Sequence, residues 1–132
     1  MKYLFLIILG IIGLALISGC VTEQGEGIII SLKNLSTDKA LYHSSENVNL
    51  TAVIYSKSDL KNVTVIATGI NGRLNEQKIL DLKTGINEIH FNYKLPRCNV
   101  CGGISAGDYN LSCEVIYKNI TIKKSIAINI QQ

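Results

Sequence analysis

The chain has 132 residues, of which 13 are Lys or Arg and 10 are Asp or Glu, so its formal net charge is +3. No stretch has more than two adjacent basic residues, and the one such pair is Lys123-Lys124. This balance argues against a nucleic-acid partner, which requires a clustered basic face. The length suits a single domain of ordinary size with one hydrophobic core.

The first 19 residues have the three parts of a secretory signal peptide. Lys2 gives a positive start, a mainly apolar run occupies positions 3–17, and small residues follow. We therefore predict a signal helix over residues 1–19, cleaved between Gly19 and Cys20. An uncleaved transmembrane anchor is the alternative, because an apolar stretch of about 17 residues is at the short end of what spans a bilayer.

The junction Ile17-Ser18-Gly19-Cys20 resembles the lipobox of bacterial and archaeal lipoproteins, with Ile17 where that family usually has Leu. In that family the cysteine receives a thioether-linked lipid and becomes the first residue of the mature protein. The resemblance implies a lipid on Cys20 that holds the chain on the outer, extracytoplasmic face of the cell membrane. Two acyl chains on one cysteine attach a protein stably, whereas one chain is marginal. The expected partners are the membrane and, as a further candidate, another cell-envelope protein.

Residues 20–27 are polar and glycine-bearing after the cysteine, which predicts a flexible tether. Beyond it, apolar and polar residues alternate, as a strand with one buried face requires. The alternation predicts seven strands, separated by turn residues such as Asn71-Gly72 and Thr84-Gly85. They are expected near residues 28–35, 48–56, 63–68, 77–82, 89–95, 109–117 and 126–130. This spacing is typical of an antiparallel sandwich or barrel, and only the stretch 70–83 is also compatible with a helix.

The sequence Gly107-Asp108-Tyr109-Asn110-Leu111 resembles the tyrosine corner of immunoglobulin-like sandwiches, in which a Tyr hydroxyl bonds back to the main chain. Upstream, Gly85-x-Asn87-x-Ile89-x-Phe91 resembles the fifth strand of the CARDB-type modules of archaeal and bacterial surface proteins. The resemblance implies a seven-stranded antiparallel immunoglobulin-like β-sandwich over residues 28–132.

Two further compositional features bear on this resemblance. The chain has no Trp, and its predicted second strand has no cysteine to pair with Cys113, which excludes a disulfide-pinned immunoglobulin domain. The richness in Ile, Lys and Asn suggests a low-GC genome, and together with the sandwich resemblance it favours an archaeal source.

The segment Cys98-Asn99-Val100-Cys101 is the sharpest candidate for chemistry, because two thiols at this spacing form redox pairs or half of a zinc site. We favour a local disulfide between Cys98 and Cys101 in an oxidising compartment, with Cys113 as a small buried hydrophobe. A bridge from either loop cysteine to Cys113, a metal site using Cys98, Cys101 and Cys113, and thiol-redox chemistry remain alternatives. Alternation places His90 opposite Phe91 and Cys113 on the inward face, so His90 and Cys113 are not expected to meet.

Asn-x-Ser/Thr, the acceptor sequence for N-glycosylation, occurs five times, and the same pattern also suits a strand with a polar outer face. We expect all five asparagines to project outward, and each is a candidate glycosylation site: Asn34, Asn49, Asn62, Asn110 and Asn119.

Catalytic patterns find little support in this chain. There is no Gly-x-Ser-x-Gly elbow, no phosphate-binding glycine loop, and no paired arrangement of Glu76, Asp81 and Glu88. Asp59, Asp81 and Asp108 could hold calcium, but no ligand run like an EF-hand is present. We predict a cell-surface lipoprotein that is a non-catalytic binding or structural module without a cofactor. The alternative is a metal-binding or thiol-redox surface protein.

Overall fold

The computed structural model describes residues 27–97 and 103–132, and within these ranges the chain forms strands and no α-helix. The strands are β1 (Ile30–Thr37), β2 (Leu41–His43), β3 (Asn47–Ser56), β4 (Leu60–Gly69), β5 (Leu74–Leu82), β6 (Gly85–Lys94), β7 (Gly107–Tyr117) and β8 (Ile120–Gln131). The predicted signal helix, and the tether before Gly27, lie outside the described residues.

The strands form two sheets that pack face to face. One sheet has three strands in the order β1-β3-β6, and the other has five in the order β2-β8-β7-β4-β5. Neighbouring strands are antiparallel except for β2, which pairs with β8 in parallel. The predicted all-β class is therefore confirmed.

The core lies between the sheets and is made by the alternating residues that the pattern placed inward. On β3 these are buried almost completely, and they face buried residues of β4 and β7 from the other sheet. Full burial of one aliphatic side chain is worth about 1.5–3 kcal/mol, so such alternation strongly selects one register over a one-residue slip. The inward residues are Val48, Leu50, Ala52 and Ile54 of β3, Val63, Val65 and Ala67 of β4, and Leu111, Cys113 and Val115 of β7.

The predicted number of strands is wrong, because the structure has eight rather than seven. The additional strand is β2, which is only three residues long and buries only Tyr42, too little for alternation to show. The stretch 70–83 contains β5 and no helix, since its residues alternate in burial between Leu74 and Leu82. Strand β8 begins at Ile120, earlier than predicted, because exposed Lys123 and Lys124 interrupt its apolar pattern.

Strand register defines two ends of the sandwich, which differ in the turns they contain. At the entry end, where the described chain begins at Gly27, lie the turns β3–β4, β5–β6 and β7–β8. At the far end lie the segments from β1 to β3 and from β6 to β7, together with the β4–β5 turn. The predicted turn residues Asn71-Gly72 occupy that β4–β5 turn, where both have positive φ.

Candidate functional site

The crossing from β6 to β7 at the far end contains the predicted tyrosine corner. The hydroxyl of Tyr109 donates a hydrogen bond to the carbonyl oxygen of Ser105, four residues earlier, at 2.7 Å. Arg73 Nη2, from the β4–β5 turn, donates to the carbonyl oxygen of Gly103 at 2.7 Å. The expected bond from Tyr109 back to the main chain is confirmed, and it fixes the start of β7 against the segment that precedes it.

A second tyrosine, which the sequence reasoning did not single out, organises the crossing from β1 to β2. Tyr42 is fully buried, and its hydroxyl donates to the carboxylate of Asp38. Asp38 also accepts hydrogen bonds from the main-chain N–H and the side-chain amide of Asn49, each at 3.2 Å. These donors, with the Tyr42 hydroxyl first, lower the pKa of Asp38. Burial and the nearby Asp38 raise the pKa of Tyr42.

Cys113 lies at the centre of β7 and points into the core between Leu111 and Val115. Among the described residues it has no disulfide partner, and its side chain is fully buried. Desolvation, with a smaller contribution from Glu114, raises the pKa of its thiol to about 11. Since the thiolate is the form that attacks disulfides and binds metals, this environment favours an inert core residue over a ligand or redox group.

The two histidines do not join Cys113. His90 is exposed on the outer face of β6, where its Nδ1 lies 3.0 Å from the hydroxyl oxygen of Thr51. His43 ends β2 at the far end, and its main-chain N–H donates to Glu46 Oε2 at 2.8 Å. Within residues 27–97 and 103–132, no three His, Cys, Asp or Glu side chains come together as a metal-binding group.

The carboxylates considered for calcium are separated and already have partners. At the entry end, Asp59 accepts hydrogen bonds from the N–H and hydroxyl of Thr84 at 2.9 and 3.0 Å. Asp108 lies at the far end and accepts from the side-chain amide of Asn129 at 2.7 Å. The third, Asp81, accepts from Lys61 and from the main-chain N–H of Asn62 at 2.7 and 3.0 Å.

The other two acidic candidates also lie apart from a common site. Glu76 lies on β5, where its carboxylate is 3.5 Å from the Lys78 ammonium. Glu88 lies on β6, where its carboxylate is 3.9 Å from His90 Nε2. The structure therefore does not assemble Glu76, Asp81 and Glu88 into one acidic centre.

All five asparagines of the Asn-x-Ser/Thr sequences are exposed: Asn34, Asn49, Asn62, Asn110 and Asn119. Their amides differ in how far they are engaged. Asn49 bonds to Asp38 and to the side-chain amide of Asn92. Asn119, by contrast, lies in the β7–β8 turn. Glycosylation at these positions stays a prediction.

The edges of the three-stranded sheet are each covered by a lysine from the other sheet. Lys124 of β8 donates to the carbonyl oxygen of Lys33 at 2.7 Å, where β1 has a bulge in its pairing with β3. Lys78 of β5 donates to the carbonyl oxygen of His90 on β6 at 2.6 Å, and it also lies over the Phe91 ring. Lysines and bulges at sheet edges discourage pairing with a further strand.

An apolar groove of about 790 Å³ lies at the entry end, between the start of β1 and the start of β8. Five isoleucines line it, together with two lysines and small or polar residues. Ile28 is the most exposed large apolar residue of the described chain, at 76%. Sequence reasoning missed this groove, although the run Ile28-Ile29-Ile30 has more apolar residues than one buried strand face needs. We call the entry groove the surface formed by Ile28, Ile29, Ile120, Ile122, Lys57 and Lys118.

Four predicted site residues belong to parts of the chain that the structure does not describe. Cys20, Gly19, Cys98 and Cys101 lie outside the described residues, so the lipidation, cleavage and disulfide hypotheses stay predictions. A search of the described ranges for a helix long and apolar enough to cross a bilayer finds none.

No protein-family model matches the chain, and no curated protein matches it in sequence. Its fold, however, is similar to solved structures. The CARDB domain of a Pyrococcus furiosus protein, determined in complex with di-metal ions, aligns with a TM-score of 0.58 and 10% identity over 77% of this chain and 87% of that chain. The C-terminal domain of Wzt aligns with a TM-score of 0.53 and 9% identity over 79% of this chain and 74% of that chain.

A third similar structure is the alkylpurine DNA glycosylase AlkC from Pseudomonas fluorescens, bound to DNA containing an abasic site analog. It aligns with a TM-score of 0.58 and 14% identity over 79% of this chain, which spans only 31% of the glycosylase. Identities this low show a shared fold and nothing about activity. The described residues therefore form a β-sandwich with a CARDB-like fold.

Proposed function

We propose that this chain is a cell-surface lipoprotein whose non-catalytic β-sandwich is attached to the outer face of the cell membrane by a lipid on Cys20. The observation that carries the proposal is the lipobox-like junction Ile17-Ser18-Gly19-Cys20 at the end of a signal-peptide pattern. The path of the chain is consistent with it, because the described residues enter the sandwich at one end, through edge strand β1.

A binding or structural role is supported by the outer face of the three-stranded sheet. Short polar side chains there bond across neighbouring strands, with Thr51 bonded to His90 and Asn92 bonded to Asn49. Such a face presents hydrogen-bond donors and acceptors whose positions are fixed by bonds between neighbouring strands. We propose that it contacts another component of the cell envelope.

The alternative is a metal-binding or thiol-redox surface protein, which rests on the spacing of Cys98 and Cys101. The buried thiol of Cys113, with its raised pKa, does not favour a three-cysteine site. Any such chemistry would therefore depend on the Cys98-Cys101 pair and on ligands from elsewhere.

The test of the anchor is the intact mass of the full chain expressed in a host that processes lipoproteins and extracted from its membranes. We expect a chain that begins at Cys20 and has the added mass of a lipid, in a protein that floats with membranes. Cys20→Ser should abolish the lipid and the flotation, whereas the matched change Cys98→Ser should preserve both. An unprocessed wild-type chain, or a processed chain without lipid, would contradict the proposal.

The same sample separates the binding module from its alternative. Thiol labelling in denaturant, before and after reduction, counts the cysteines that a disulfide protects. We expect two of the three thiols Cys98, Cys101 and Cys113 to label only after reduction, with no bound metal. If all three thiols label without reduction, or if the native protein contains zinc before denaturation, the metal or redox alternative would be favoured.

A further inference from the structure

We propose that the entry groove docks onto an anionic phospholipid surface, so that the sandwich rests on the membrane with its entry end down. This inference rests on the proposed lipid anchor, because the anchor supplies the membrane within reach. It adds a second membrane contact, made by residues of the folded domain.

The apolar part of the entry groove lies in the gap between the two sheets. Ile120 and Ile122 occupy inward-facing positions of β8, but they are only half-buried, since edge strand β1 leaves the space between the sheets open there. Ile28 projects beyond the first residue of β1. An exposed isoleucine beside an apolar groove can enter the boundary between lipid headgroups and acyl chains, where peripheral membrane proteins bury apolar side chains.

The charges around the groove complement an anionic surface. In the described part of the chain, strand ends and turns at the entry end contain four lysines and two aspartates: Lys57, Lys61, Lys83, Lys118, Asp59 and Asp81. Both aspartates are already paired, Asp81 with Lys61 at 2.7 Å and Asp59 with Lys83 at 3.4 Å.

The two remaining lysines are those that line the groove. Within the described ranges, neither Lys57 nor Lys118 has a carboxylate within 4.0 Å. The Lys118 ammonium lies over the Tyr117 ring, 5.2 Å from its centroid, at the tip of the β7–β8 turn. The two lysines without a carboxylate partner among the described residues therefore lie beside the apolar surface.

The chain outside the described residues sets the distance to the membrane. Cys20 precedes Gly27 by seven residues. A fully extended chain spans at most about 3.6 Å per residue, so a lipid on Cys20 holds Gly27 within about 25 Å of the bilayer. Tethering at this range gives a high effective concentration, and a weak contact is enough to orient the domain.

The test is the rate of acylation of individual lysines by a water-soluble amine reagent, read by peptide mass spectrometry. The lipidated protein is reconstituted in vesicles of phosphatidylcholine alone or of phosphatidylcholine with phosphatidylglycerol, and is also measured in detergent. We expect acylation of Lys57 and Lys118 to slow about fivefold on the anionic vesicles, the effect expected for one lysine near such a surface. Exposed Lys94, at the far end, is the internal control and should react equally in both vesicles.

A matched pair of variants separates docking from tethering. Ile28→Ser should restore acylation of Lys57 and Lys118 on anionic vesicles, whereas Leu41→Ser, an exposed far-end residue, should not. Both variants should float with the vesicles, because flotation depends on the lipid on Cys20. Loss of flotation in the wild-type chain would overturn the proposed anchor itself. Equal rates on neutral and anionic vesicles would overturn the docking. Slow acylation of Lys57 and Lys118 that persists in detergent would also overturn the docking. If that slow acylation depends on protein concentration, a second copy of the chain covers the groove; if it does not, the tether covers it.

Discussion

The chain crosses between the two sheets at both ends of the sandwich, and different interactions hold the crossings at each end. At the far end, the chain crosses between the sheets with the help of tyrosine hydroxyls, Tyr42 to Asp38 and Tyr109 to Ser105. At the entry end, the crossings are held by exposed aspartates, of which Asp59 links the β3–β4 turn to Thr84 in the β5–β6 turn. The far end is therefore held by a fully buried tyrosine and a half-buried one, and the entry end by surface contacts beside an open apolar groove.

This difference indicates that the stability of the domain is concentrated at the far end. Burial of a large aromatic side chain contributes far more to the free energy of unfolding than an exposed ion pair does. An end held by surface contacts can keep apolar residues such as Ile28 exposed without loss of the core. We accordingly expect substitutions at the far end to affect stability most.

Tyr42→Ala should have the largest effect. It removes a fully buried ring from the far end and leaves a cavity, which costs about 3–5 kcal/mol of unfolding free energy for an aromatic residue. Urea denaturation followed by circular dichroism measures this. The adjacent change Leu41→Ala, at a residue 41% exposed, is the control and should cost much less. Similar losses of unfolding free energy in the two variants would contradict the expectation that the buried ring of Tyr42 stabilises the far end.

Features that depend on residues close together in the sequence could be predicted, whereas features that depend on distant residues could not. Alternation within one strand identified the inward residues of β3, such as Leu50 and Ile54, because period two is a local signal. It could not find β2, whose pairing with β8 joins Tyr42 to Ile130, far away in the chain. Lys118 and Ile28 line the same groove because the β7–β8 turn lies near the edge strand β1 of the other sheet, and no local pattern encodes that arrangement.

Asp38→Ala should have an intermediate effect. It removes the acceptor for the Tyr42 hydroxyl and for two donors of Asn49, and losing these bonds should cost about 1 kcal/mol. Because the pKa of Asp38 is lowered in the folded protein, its ionised form stabilises the fold. That contribution is present above about pH 4, near the unfolded pKa, and is lost as the pH falls through the lower folded pKa.

Urea titrations at a series of pH values test this expectation. The wild-type chain should lose stability below about pH 4 more steeply than Asp38→Ala, which lacks the titrating group. A residual acid dependence should remain, because the pKa values of Asp59 and Asp81 are also lowered by their hydrogen bonds. Asp108→Ala, which removes an exposed carboxylate with one amide donor, is the matched control. If Asp38→Ala lost stability below about pH 4 as steeply as the wild-type chain, the far-end network would not depend on this charge.

The smallest effect is expected at the entry end, from Lys61→Gln. The Lys61–Asp81 ion pair is short at 2.7 Å, but both side chains are exposed, and water and salt screen such pairs. We expect the urea midpoint of Lys61→Gln to match the wild type at moderate salt. Asp81→Ala should lower it slightly more, because it also removes the acceptor for the N–H of Asn62, where β4 has positive φ. If Lys61→Gln proved as costly as Asp38→Ala, charge at the entry end would stabilise the sandwich as much as the far-end network does.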